Sequence, residues 1–127
     1  SFDERGVCFA TKDGKTVTPE TKSFQMAAAN ADWSSVPGYG VIITDQPGAD
    51  TWPITTATWI LLYKKPVDAA ATGEALKFFA WAYDKGSKMA EELDYIPMPK
   101  NVADSVKKMW ATDVKDASGK SLFAVTH

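Results

Sequence analysis

Gly119-Lys120-Ser121 has the residue types that close a phosphate-cradling loop: a glycine for close backbone approach, a lysine for charge and a hydroxyl for a metal. The full pattern also needs a glycine five residues earlier, a strand before the loop and a helix after it. Val114 occupies the glycine position and a helical pattern comes before the loop, so the triplet reads as a plain turn. Glu91, Glu92 and Asp94 cluster beside Tyr95, and paired carboxylates can do acid/base work. On a helix end with no second ligand set they read instead as a solvated face. His127 is the sole histidine and the last residue, which leaves no histidine-based triad and no multi-histidine metal site in this chain. Cys8 has no base near it in sequence and lies in an apolar stretch, where a buried, inert thiol is expected.

Aromatic residues are the other candidates. Trp33, Trp52, Trp59, Trp81 and Trp110 could line a sugar or aromatic-ligand site, yet most fall on stripes that a core would use. Gly38-Tyr39-Gly40 is loop and not a nucleotide fingerprint. No catalytic, ligand-binding, metal or cofactor residue is assigned from these patterns. A formal net charge of −2, with Arg5 the only arginine, argues against a nucleic-acid partner. The apolar fraction of 45% and charged fraction of 24% are those of a globular protein, and 127 residues can bury a sizeable core. The chain begins at Ser1 without a leader-like segment, which suits a processed product or a fragment.

The elements that would hold these residues centre on Asp50 to Tyr63. Trp52-Pro53 favours extended backbone, and an uncharged run of β-branched and aromatic residues follows. The stretch is expected to be a buried strand, covered on both faces from Trp59 to Tyr63. Phe2 to Phe9 reads as a strand, with an Asp13-Gly14 turn after it. Thr18-Pro19-Glu20 has helix-start chemistry, and Phe24, Ala27, Ala28 and Ala31 make an inward stripe. The segment 32–49 is mostly loop around Val41-Ile42-Ile43. Asp68 to Thr72 leads into a helix that carries Leu76, Phe79, Ala80 and Tyr83 on one face, and a short helix follows Gly86. A last helix begins at Pro99, carries Val102, Val106, Met109 and Trp110, and ends near Val114. The core list is Trp59, Ile60, Leu62, Leu76, Phe79, Tyr83, Val106 and Trp110 around one sheet. Ser121 to His127 is expected to be a frayed or weakly extended tail.

Taken in order, Asp13-Gly14-Lys15, Val17-Thr18-Pro19, Ala31-Asp32-Trp33, Trp52-Pro53-Ile54-Thr55, Leu76-Lys77-Phe78-Phe79 with Trp81-Ala82-Tyr83, Leu93-Asp94-Tyr95, and Lys115-Asp116 with Ser118-Gly119-Lys120 form a specific succession. It resembles the C-terminal part of the periplasmic phosphate-binding proteins of phosphate ABC transporters, over nearly the whole chain. The resemblance implies an α/β fold, part of a two-lobe periplasmic binding protein (type II) with sheets flanked by helices. Residues 1–49 would be the C-terminal end of the second lobe. Residues 50–127 would be the hinge crossover and the C-terminal part of the first lobe.

It further implies phosphate capture for import, with a permease as partner, a periplasmic or cell-surface location and no catalysis. The family's phosphate ligands lie in its N-terminal portion, and none of those motifs is in this chain. Arg5 is followed by Gly6-Val7-Cys8 and does not match the ligand loop. The chain therefore reads as a fragment that needs the missing N-terminal portion of the same protein. Two other classes compete: a phosphohydrolase on a related scaffold, which would need a nucleophile or metal set, and a small stand-alone interaction domain.

Overall fold

The computed structural model describes residues 8–124. The sequence divides by internal packing into two compact units, 1–58 and 59–127.

In the first unit, β1 (Phe9–Ala10) and β2 (Thr16–Val17) form an antiparallel hairpin that pairs Phe9 with Val17. Gly14 closes it at φ +73°, a conformation that glycine adopts without strain, so the Asp13-Gly14 turn forms where expected. The proposed strand before Cys8 lies outside the described residues. Helix α1 (Thr21–Asn30) starts two residues later than the Thr18-Pro19 signal. Glu20 is its cap, and the Glu20 N–H donates to the Ser23 hydroxyl at 3.1 Å in a reciprocal capping box. The Thr18 hydroxyl instead donates to Glu20 Oε1 at 2.9 Å and braces the capping side chain.

The inward stripe of α1 is as read: Ala27, Ala28 and Ala31 are buried and Phe24 is half-buried. Small alanines leave room for a large neighbour, and Trp52 takes it. Its ring meets Phe24 and Phe9 edge-on at 5.4 and 5.2 Å, while the Trp52 backbone N–H donates to the Ser23 carbonyl at 3.0 Å. Residues 32–49 are loop with two short 3₁₀ turns, Trp33–Ser35 and Pro37–Tyr39. Ile43 is their buried anchor.

The second unit is helical. Asp68 caps α2 (Ala69–Lys85) by accepting from the Ala71 N–H at 2.9 Å. Gly86 is the C-cap of that helix, at a position where a side-chain carbon would sit 2.5 Å from the Ala82 carbonyl oxygen. Then come α3 (Ser87–Glu92) and α4 (Lys100–Asp113), with Pro99 in the capping position just before α4. Leu76, Trp110 and Val114 form the buried centre, and Leu62, Phe79, Tyr83, Val106, Met109, Leu122 and Phe123 pack around it. The Lys107 ammonium, drawn between Asp84 at 2.6 Å and Asp104 at 3.8 Å, ties α4 to α2.

Three expectations are corrected. Asp50–Tyr63 is extended but is not a sheet strand: among the described residues the paired strands are β1 and β2, with one isolated bridge from Lys115 to Ser121. A strand exists by a ladder of hydrogen bonds to a neighbour, and this stretch makes only separate ones, such as those from the Trp52 N–H to the Ser23 carbonyl at 3.0 Å and from the Asp45 N–H to the Pro53 carbonyl at 2.9 Å. Trp59 and Ile60 are accordingly exposed, and Leu62, Phe79, Tyr83 and Val106 are only partly covered, whereas Leu76 and Trp110 are buried. Of the two readings of the tail, the weakly extended one fits the part described through Phe123, which bridges Lys115 at Ser121. Its Leu122 N–H donates to the Val114 carbonyl at 3.0 Å, and the Phe123 ring meets Trp110 edge-on at 5.4 Å. Cys8, expected to be buried, is exposed. The architecture is thus mixed helix with a small two-stranded sheet.

Candidate functional site

The loop after α4 is the strongest candidate by residue type, and its geometry decides what it does. The Asp116 Oδ1 accepts from the Ser118 N–H at 2.9 Å, the Ser118 hydroxyl at 2.6 Å and the Lys120 N–H at 2.9 Å. Gly119, at φ +86°, lets the backbone curl around that oxygen. These are the donors that a phosphate oxygen would require, and the chain's own carboxylate holds them. The Ser118 hydroxyl, then the Lys120 N–H, hold the Asp116 carboxyl below the usual aspartate range. The Ser121 hydroxyl is turned onto the Phe123 carbonyl at 2.8 Å. The triplet is a self-satisfied turn, and the readable signal was Asp116 two residues before Ser118, the spacing of an Asx turn.

The acidic cluster has an equally local explanation. Asp94 takes φ +62° just past α3, where the Tyr95 N–H donates to the Ala90 carbonyl at 2.9 Å and the Asp94 N–H to that of Glu91 at 3.0 Å. This double closure is a Schellman motif, with aspartate in the place usually given to glycine. Glu91, Glu92 and Asp94 are all exposed, and no group of three potential metal ligands occurs among the described residues. His127 lies outside the described residues.

Of the tryptophans, Trp33, Trp52 and Trp110 are buried in packing roles. The Trp33 indole N–H donates to the Ala28 carbonyl at 2.7 Å, which satisfies its polar atom. Trp59 and Trp81 are exposed, and Trp81 stacks on the exposed Phe78 at 6.0 Å. The Gly38-Tyr39-Gly40 segment is a tight 3₁₀ turn in which Gly38 and Tyr39 both have positive φ. The structure brings no two of the sequence candidates together as a reacting pair or a ligand shell among the described residues.

Comparison with known proteins supplies the relationship that side-chain chemistry does not. The chain is 43% identical over 112 residues to the phosphate-binding protein PstS of Pasteurella multocida. It is 42% identical over 102 residues to the PstS of Haemophilus influenzae, and 40% identical over 102 residues to that of Xylella fastidiosa. The chain is a relative of PstS. The matches cover 88, 80 and 80% of this chain but only 33, 30 and 28% of the respective relatives, so it spans less than two thirds of their length. No protein-family model matches it. The relatives are named as binding proteins. No helix is long and apolar enough to cross a membrane among the described residues.

Proposed function

We propose that this chain is part of a solute-binding protein that captures inorganic phosphate for import by an ABC transporter and does no chemistry on its ligand. The observation that carries the reading is identity of 40–43% to three phosphate-binding proteins across 80% or more of the chain. In this reading the whole protein is a two-lobe binding protein of type II, periplasmic or at the cell surface. Residues 1–49 end its second lobe, and residues 50–127 form a hinge crossover and the C-terminal part of its first lobe. The partners are phosphate, the membrane permease and the N-terminal portion of the same polypeptide.

A phosphate taken out of water needs many convergent donors, since an unpaired dianion in a closed cleft is too costly to hold. Among the described residues, the loop whose residue types suit a phosphate gives its donors to Asp116. The ligand shell therefore belongs to the N-terminal portion. Calorimetric titration with inorganic phosphate tests this. The 127-residue chain should bind in the millimolar range or more weakly, roughly −4 kcal/mol or less favourable. The longer polypeptide should bind tightly. Micromolar affinity in the 127-residue chain, or none in the longer polypeptide, refutes the reading.

A further inference from the structure

Asp13-Gly14 is the one place in the sequence where an aspartate or asparagine precedes a glycine. That order permits a reaction between neighbours, because glycine has no side chain to shield its amide nitrogen from the carboxyl carbon beside it. The pair sits at the exposed tip of the β1–β2 hairpin. Gly14 takes φ +73°, and nothing stands within 4 Å of where its side chain would be. Both reacting groups are nevertheless occupied. The Gly14 N–H donates to the Thr11 carbonyl at 2.9 Å. The Asp13 Oδ2 accepts from the Gly48 N–H at 3.0 Å, a contact between residues 35 apart in sequence. Gly48 is itself held at φ +122° against Thr51 and Asn30.

We infer that Asp13-Gly14 is a site of spontaneous conversion to isoaspartate, and that the Gly48 contact gates it. The Gly14 nitrogen attacks Asp13 Cγ, an N–Cγ bond forms, and the amide proton and the carboxyl OH leave as water. Water then adds back to the five-membered ring. Opening the N–Cγ bond restores aspartate, whereas opening the bond from nitrogen to the Asp13 backbone carbonyl carbon leaves the chain running through Cβ and Cγ. Mass is unchanged by the cycle. In the fold, the attack requires the Gly14 N–H to leave Thr11 and the carboxyl to turn away from Gly48, so it proceeds through a local opening of the hairpin tip. The product has one more methylene in the backbone between β1 and β2 and a free carboxylate directly on the α-carbon. Gly48 then loses its acceptor, and the pairing of Phe9 with Val17 must close over a longer loop.

Incubation at neutral pH tests the site and its gate. Isoaspartate is read as a peptide of unchanged mass and altered retention, confirmed by enzymatic methylation of the isoaspartyl carboxylate. The folded protein should convert at least ~10-fold more slowly than a synthetic peptide of residues 8–20, because only its opened fraction reacts. Gly48→Ala, which leaves Asp13-Gly14 intact and disturbs the contact, should move the rate towards that of the peptide. Thr51→Val loosens the same turn without the clash and should give an intermediate rate, with circular dichroism showing that its helices are retained. Equal rates in folded protein and peptide overturn the inference, as do unchanged rates in both variants. So does a peptide that never converts, or a Gly14→Ala protein that forms isoaspartate as fast as the parent, which would place the reaction elsewhere.

Discussion

The Asn30 side-chain amide donates to the Thr51 hydroxyl at 3.0 Å, joining the end of α1 to the start of the Trp-Pro segment. Both residues also donate to the Pro47 carbonyl, Asn30 at 2.8 Å and Thr51 at 3.0 Å. Thr51 is 1% exposed, so its hydroxyl has no water to fall back on. Thr51→Val keeps the shape but strips Asn30 of an acceptor and Pro47 of a donor, and should cost about 1–3 kcal/mol in urea unfolding. A cost near zero would show that the three-way contact holds nothing.

Gly48 lies against the same pair. At φ +122° a side-chain carbon would stand 2.6 Å from Thr51 Oγ1 and 2.7 Å from Asn30 Nδ2. Gly48→Ala therefore meets both backbone strain and a clash, and should destabilise by more than about 1 kcal/mol. Gly14, with open space around its position, offers the comparison: alanine there should be strained but free of collision, and the milder of the two. Equal midpoints for the two variants would remove the steric part of this account.

Leu76 is fully buried at the centre of the second unit, and Phe79 beside it is only partly covered. Leu76→Ala should cost about 2–5 kcal/mol, through lost transfer energy and the cavity left behind. Urea unfolding followed by circular dichroism measures it, and a loss below about 0.5 kcal/mol would place the core elsewhere.

Asp116 gives the turn after α4 a pH dependence. Its carboxyl is held below the ordinary value, chiefly by the Ser118 hydroxyl and then by the Lys120 N–H. The stabilisation is present above the unfolded-state pKa, about 3.9, and is lost as pH falls through the lower folded-state value. Asp116→Ala should thus be less stable than the parent at neutral pH, with the gap closing in acid. A gap in thermal midpoint that is the same at both ends of that range would disprove the assignment.

Burial acts on Tyr83 in the opposite direction, raising its phenol above the ordinary range. A raised folded-state value means that the associated stability is intact below the unfolded pKa, about 10, and is lost as pH rises through the folded one. Absorbance titration should show one phenol ionising after the others, and Tyr83→Phe should remove that late component. If the late component survives in the variant, it belongs to another tyrosine.

Helices were legible from the sequence because their signals are local. The Leu76, Phe79, Ala80 and Tyr83 spacing, the Asp68 cap and the Gly86 stop all act within a turn or two of themselves, so α2 forms where the pattern says. The Asp13-Gly14 hairpin and the order of motifs that marks the phosphate-binding relationship are local in the same sense. What the sequence could not decide was whether its apolar runs would find partners. Trp59-Ile60-Leu61-Leu62-Tyr63 has the composition of a strand buried on both faces, but burial and pairing depend on distant segments, and here Leu62 is seated while Leu61 and Tyr63 are not. The same holds for the candidate loop: Gly119-Lys120-Ser121 states which donors exist, and only the folded turn shows them given to Asp116. Periodicity and capping are properties of neighbours in sequence, whereas pairing, burial and the satisfaction of a polar group are properties of neighbours in space.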